Sequence, residues 1–273
     1  MPRQPKGGLP VRHAVALGLL HGPAELLPIS SSGHIALVPW LAGWPYAELD
    51  PELRKAFEVA LHAGTATALL IALRGEVRGA LTDLDPRRVR IVVLSLLPPA
   101  AVTALLERTI ERRAGAPGVV AAGLLLGSAA MVAVDGAPQR RRHEEAGNAD
   151  ALWLGVAQSC ALVPGVSRNG ATLVAARARG FRREDANVLS RHVALPIIAA
   201  ASAFKGWRLW RRGLPPRTGV AFAAGAAATF ASTLGSTWLI RQVERDRSLL
   251  PYAAYRAGLA GLVIRRLRQN RRR

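Results

Sequence analysis

Five stretches of this chain run for about the length of a membrane crossing with almost no charge. Residues 89–106 (VRIVVLSLLPPAAVTALL) carry one charge near their start, and residues 116–134 (APGVVAAGLLLGSAAMVAV) and 218–240 (TGVAFAAGAAATFASTLGSTWLI) carry none. Residues 249–264 hold only Arg256, and residues 56–73 hold only Glu58 and His62. A helix of roughly 20 apolar residues spans a hydrocarbon core. A soluble domain rarely contains several uncharged runs of that length. The fold expected is therefore all-α: a polytopic integral membrane protein with about six spanning helices.

The charge falls between these runs. A net charge of +19 over 273 residues would by itself suit a nucleic-acid binder. Of the 37 basic residues only Lys6, Lys55 and Lys205 are lysines, and the arginines bunch at 74–90, 108–113, 140–142, 177–191, 205–217, 241–247 and 265–273. Such bunches read as loops and helix ends. Aromatic residues make up only 5% of the chain, too few for the stacking platforms of a single-strand binder, so no nucleic-acid partner is expected. Trp40, Trp44, Trp153, Trp207, Trp210 and Trp238 mostly lie near segment ends, where interfacial anchors and ordinary packing residues are equally at home. A half-apolar chain is not disordered, and a single cysteine, Cys160, excludes a disulfide scaffold. Residues 1–12 and the short apolar run after them look like a signal peptide. His21, Pro23 and Glu25 interrupt that run and no small-x-small site follows, so a retained first helix is expected. Six arginines in residues 265–273 favour a cytoplasmic C-terminus.

The chain also repeats itself weakly. Leu17-Gly18-Leu19-Leu20-His21 aligns with Leu154-Gly155-Val156-Ala157-Gln158, and Pro28-Ile29-Ser30-Ser31 aligns with Pro164-Gly165-Val166-Ser167 after a one-residue slip. Both segments are apolar, broken by proline or glycine, and then rich in small hydroxyl residues. Interrupted hydrophobic segments at matching places in two halves point to an inverted-repeat fold with a site where the broken helices meet. Non-helical backbone survives at membrane depth only where protein or a water-filled cavity covers it. Plain kinks in ordinary spanning helices are the alternative. The expected division is one repeat at about 10–134, a polar linker at 135–150, a second repeat at about 151–264 and a basic tail. In the linker His143, Glu144 and Glu145 read as solvated. Gly18-x-x-x-Gly22 and Gly123-x-x-x-Gly127 read as places of close helix approach.

The chemistry concentrates in the two broken segments. The first carries His21, Glu25, Ser30, Ser31, Ser32 and His34 on an apolar background, and ionisable groups at membrane depth are functional by default. The second carries Ser167, Arg168, Asn169, Gly170 and Thr172. Arginine offers a planar fork of donors to phosphate, and serine and glycine at a helix start expose N–H groups that bind anions. The pair reads as a buried anion site, with Arg168 as the clamp and Glu25 and His34 handling protons. Cys160 precedes Arg168 by seven intervening residues that include Pro164, which makes no tight phosphate cradle. It reads as a small buried apolar residue. No Gly-x4-Gly-Lys-Ser/Thr loop is present.

The run from Glu25 to His34 (ELLPISSSGH) resembles the first signature of the BacA-type undecaprenyl-pyrophosphate phosphatases, and the run from Gln158 to Thr172 (QSCALVPGVSRNGAT) resembles their second. Residues 57–64, and the stretch from Arg179 to Pro196, also look like family segments, so the likeness covers nearly the whole chain in order. The resemblance implies a lipid phosphatase with inverted repeats and two re-entrant regions in the bacterial cytoplasmic membrane. Its site would face the external side and release phosphate from undecaprenyl pyrophosphate, recycling the carrier lipid of cell-wall synthesis. Overproduction of such proteins confers bacitracin resistance. Carried over by position, Glu25, Ser31, His34 and Arg168 match residues implicated in catalysis or pyrophosphate binding. Ser30 and Ser167 match their hydroxyl neighbours, and Ser32, Asn169, Gly170 and Thr172 are further candidates for binding the substrate. Glu25 is the candidate ligand of a divalent cation, Mg²⁺ or Ca²⁺. The partners implied are a polyprenyl pyrophosphate lipid and the bilayer, and a homodimer stays open.

This sequence also departs from the family pattern. His21 stands where an acidic or amide residue is usual, His62 where glutamine is common, and Asn169 where serine follows the arginine. Arg191 and His192 occupy positions that are usually apolar or aromatic. One carboxylate makes a poorer hard-cation site than two. His21, Glu58 and His62 are therefore accessory candidates, with His21 as a ligand for a different metal, a base, or the mark of changed activity. A polyprenyl-phosphate carrier or flippase, and a silent lipid-pyrophosphate-binding relative, remain alternatives to the enzyme.

Overall fold

The computed structural model describes residues 9–82, 85–113, 115–212, 218–245 and 248–272. Residues 1–8, Arg273 and the side chain of Trp210, which entered the sequence argument, lie outside the described set. The described residues form α-helices and short 3₁₀ turns without a β-strand. In chain order the helices are α1 (Val11–Leu26), α2 (Ser31–Ala42), α3 (Pro51–Ala72), α4 (Arg74–Thr82), α5 (Pro86–Arg113), α6 (Pro117–Asp135), α7 (Asn148–Cys160), α8 (Arg168–Ala178), α9 (Arg183–Arg212), α10 (Gly219–Gly235), α11 (Trp238–Arg245) and α12 (Leu250–Arg271). Pro86–Leu106 and Pro117–Asp135 are each long and apolar enough to cross a membrane, and α10 with α11, bent by 51° between them, is long enough as a pair. α3 and α12 have 22 residues each, with charges crowding one end of each. The protein is an all-α membrane protein.

The packing keeps the same plan when the halves are exchanged. α1 packs most extensively on α10, and its counterpart α7 packs on α5. α3 meets α10, and α9 meets α5. α6 meets α12, and α3 meets α9, across the centre. Close approach needs small residues. A side chain at Gly18 would strike the carbonyl of Gly225, and one at Gly22 would strike Ser232 and Thr233, so the first Gly-x-x-x-Gly pair is the α1–α10 contact. A side chain at Gly123 would meet the Pro164 carbonyl at 2.8 Å.

Two breaks interrupt this packing, at 27–30 and at 161–167. Pro28 disfavours helical backbone at Leu27, which is extended at ψ 152°. In the second break Gly165 has φ +96°, and a side chain there would run into the Val120 carbonyl, so only glycine fits. Broken turns leave carbonyl oxygens unsatisfied, and Arg256 of α12 supplies the donors. It is 1% exposed and donates to the Pro28 carbonyl at 3.0 Å and the Gly165 carbonyl at 3.1 Å. The expectation that arginines sit on loops and helix ends fails at Arg256, and also at Arg177, which is 1% exposed and bonded to the Phe181 and Ala137 carbonyls. A guanidinium has five donors, enough to stand inside the fold wherever backbone acceptors converge.

Two further expectations are corrected. Cys160 is exposed at the end of α7, because the helix stops there and the chain turns away. Glu144 and Glu145 are exposed as expected, but His143 is tied down rather than simply solvated. His143 binds Asp185 through both its backbone N–H (3.0 Å) and Nδ1 (2.7 Å), and Glu144 lies 3.4 Å from Arg142. Arg141 grips Asp150 with two bonds of 3.0 and 2.8 Å, and Arg179 adds a third at 2.8 Å.

Replacing Arg256 with methionine strands the Pro28 and Gly165 carbonyls. Thermal or denaturant unfolding in detergent should show a loss of about 2–4 kcal/mol. A second test concerns Asp150. Burial alone would raise its carboxyl, but hydrogen bonds from Arg141, the Gly147 N–H and Arg179 outweigh that and hold it down at about 2 from an ordinary 3.8. The unfolded chain therefore binds its proton first. The stabilisation is complete above about pH 4 and is lost as pH falls toward 2. Asp150→Asn should cost about 2 kcal/mol at pH 7 and flatten the acid limb of stability against pH.

Candidate active site

Each break ends in the same local device. Ser30 caps α2 by accepting from the Gly33 N–H at 3.2 Å, and Ser167 caps α8 by accepting from the Gly170 N–H at 3.1 Å. The caps set Ser30 opposite Ser167, and hence Ser31 opposite Arg168. The sequence alignment had paired Ser31 with Ser167, because it introduced a one-residue slip to match Pro28 with Pro164; the caps need no slip and keep the register that pairs His21 with Gln158. Ser30 holds φ +78°, the one described non-glycine residue in the left-handed region, and such backbone persists only where its surroundings enforce it. Its carbonyl accepts from His34 Nδ1 at 2.7 Å, and its Oγ lies 3.4 Å from Ser32 Oγ.

Glu25, in the last turn of α1, is where the halves meet. One carboxylate oxygen accepts from Arg168 Nη2 and the other from Ser31 Oγ. The first residue of each capped helix thus lands on one carboxylate. The Glu25 side chain is 8% exposed and that of Arg168 19%. Arg168 Nη1 also donates to the Ala194 carbonyl at 3.3 Å, and Asn169 Nδ2 donates to the Leu26 carbonyl at 2.9 Å, which pins α8 to the end of α1. Thr172 and Asn169 share Ser190 of α9, at 2.6 and 3.1 Å. Beside this node lies a cleft lined by the polar residues Glu25, Arg168, Asn169, Asn187, Ser190 and Arg191 and by the apolar residues Leu26, Leu69, Leu73, Ala194, Ile198, Ile240 and Val243.

The other candidates divide into groups. His34 is 1% exposed and faces α12, where its Nε2 lies 2.7 Å from Tyr255 Oη and the rings stack at 5.6 Å. A carbonyl only accepts, so Nδ1 carries the proton toward Ser30 and neutral Nε2 accepts from the tyrosine. His21 and His62 meet edge to face at 4.7 Å on the other side of Glu25. The Glu58 side chain turns to Lys55 at 3.8 Å, and only its carbonyl serves the site, by accepting from His62 Nδ1 at 2.8 Å. Arg191 pairs with Glu244 and lies 3.5 Å from Glu76.

The family profile described as "Bacitracin resistance protein BacA" matches residues 14–262. The chain belongs to the BacA family. It is 36% identical to the undecaprenyl-diphosphatase of Geobacter sulfurreducens over 268 residues, 93% of this chain and 97% of that one. It is also 36% identical to the undecaprenyl-diphosphatase of Pelobacter propionicus, covering 92% and 95%. A Burkholderia mallei undecaprenyl-diphosphatase is 32% identical over 92% of this chain.

In this BacA-family chain several site residues escaped the sequence argument. Tyr255 and Arg256 stand together in the otherwise uncharged run 249–264, which was a usable signal. Ser190 and Asn187 lie far from either broken segment in sequence, and no spacing announces them. An Mg²⁺ or Ca²⁺ ion takes oxygen ligands, whereas the groups within reach of Glu25 include two imidazoles. That donor set does not fit a hard cation.

Glu25 and Arg168 should be strongly coupled. Glu25→Gln or Arg168→Gln alone leaves a charge buried without its partner and should cost about 3 kcal/mol. The double variant should cost clearly less than the sum of the two in denaturant unfolding.

Proposed function

We propose that this protein hydrolyses undecaprenyl pyrophosphate to undecaprenyl phosphate and inorganic phosphate. The observation that carries this reading is Glu25 bonded at once to Ser31 and Arg168, with Glu25 and Arg168 lining a cleft of mixed polar and apolar residues. Such a cleft suits a charged head group on a prenyl tail. Arg168 and the free N–H groups at the starts of α2 and α8 hold the pyrophosphate. Ser31, its proton drawn by Glu25, attacks the terminal phosphorus, and the bond from that phosphorus to the bridging oxygen breaks. Undecaprenyl phosphate leaves, and water then releases phosphate from the serine and restores its proton. His34 is a positioning residue in this scheme: it holds the Ser30 carbonyl and, with Tyr255, the turn that presents Ser31. No step is routed through a cation.

The repeats at about 10–134 and 151–264 each contribute one capped half of the site, which accords with the exchange of packing partners. We place the protein in the bacterial cytoplasmic membrane with the arginine-rich tail inside and the site open to the external leaflet.

The test is phosphate release from undecaprenyl or farnesyl pyrophosphate by purified protein in detergent, with Mg²⁺, Ca²⁺, Zn²⁺ or chelator. Arg168→Ala, Glu25→Gln and Ser31→Ala should each lower kcat/KM by about 10²–10³. No release under any condition, with Arg168→Ala indistinguishable from the parent, overturns the enzyme. Transport without hydrolysis in liposomes would replace it with a carrier. Release that survives Glu25→Gln overturns the site assignment.

A further inference from the structure

His21 and Glu25 are four residues apart on α1 and share a face of that helix. His62 of α3 comes up beside them, and a ligand atom from each of the three lies within 4.8 Å of the others. We propose that His21, Glu25 and His62 form a site for a borderline divalent transition-metal ion of the Zn²⁺ kind.

The hydrogen bonds around the rings support this. His62 Nδ1 lies 2.8 Å from the Glu58 carbonyl, which only accepts, so a proton is on Nδ1 and Nε2 is the ring nitrogen left to ligate a metal. His21 Nδ1 lies 3.1 Å from Thr65 Oγ1, and its Nε2 is buried with no hydrogen-bond partner in a residue 1% exposed. An imidazole nitrogen buried without a partner is costly, and a metal ion would satisfy it. Anchoring of the far ring nitrogen is how metal-binding histidines are held in the ligating tautomer. Glu25 keeps lone pairs beyond those used by Arg168 and Ser31, so its place in the ion pair does not bar it from ligation. Two imidazoles and one carboxylate match the preference of Zn²⁺ and its neighbours, and three protein ligands leave a coordination position open, the pattern of reactive rather than structural zinc sites.

What the ion would do for the reaction rests on the proposed phosphatase activity. Binding does not, and the test keeps the two apart. Chelator-stripped full-length protein in detergent is titrated with Zn²⁺ by calorimetry and with Co²⁺ by visible absorption. One ion per chain is expected, with Co²⁺ bands typical of nitrogen and oxygen ligands and no displacement by millimolar Mg²⁺. His62→Gln and His21→Gln should each weaken binding by at least about tenfold. His143→Gln, which alters the separate His143–Glu144–Asp185 group, should leave it unchanged. His62 is part-exposed, so His62→Gln carries the test even if His21→Gln proves unstable on gel filtration. Failure of the parent protein to retain one ion, affinity unaltered in both histidine variants, or binding lost only in His143→Gln overturns the site. Phosphate release by protein that binds no ion overturns the metal site and leaves the phosphatase standing. Ion binding without release under any condition does the reverse.

Discussion

A helix that stops partway through an apolar layer leaves carbonyl oxygens that neither the next turn nor bulk water can satisfy. Here α1 and α7 stop inside the packed protein, and one guanidinium serves both breaks. Arg256 donates to Pro28 in the first break and to Gly165 in the second, with Gly123 and Leu124 of α6 close by. The serine-capped starts of α2 and α8 exist because the breaks exist, and the breaks are held by this buried arginine. The arginine has room because Gly127 carries no side chain where its Nη2 lies.

From this frame the two halves supply unlike groups to one place. Their caps are the same, a serine accepting from a glycine N–H three residues on. The next residue differs. Ser31 brings a hydroxyl and Arg168 brings a fixed positive charge, and both rest on Glu25. The two capped helix starts thus differ at the residue that rests on Glu25. Glu25 has a third set of neighbours in His21 and His62, so one carboxylate joins clamp, hydroxyl and imidazole pair.

Much of this was legible in the residues. Uncharged runs mark the long helices, and proline with glycine marks the breaks. Glu25, Ser31 and Arg168 stood out as polar groups in apolar surroundings, and the structure joins them. The less legible parts depend on contacts between distant elements. His34 read as a proton carrier beside Glu25, but its two nitrogens are occupied by Ser30 and Tyr255, a partner 221 residues away. The linker's His143 read as solvated because a charged loop usually is, and its partner Asp185 lies in another helix.

The sequence by itself determined the class of fold, the two broken segments and the family, since these follow from local hydrophobicity, backbone chemistry and motif order. Only the tertiary structure decided which serines face each other, that Arg256 rather than a loop closes the breaks, and that His62 meets His21 beside Glu25. Which serines correspond is set by the caps they form on Gly33 and Gly170, and matching the prolines misses it by one residue. The partners of a buried group are chosen by packing among helices far apart in the chain. Neither is encoded in any short stretch of residues.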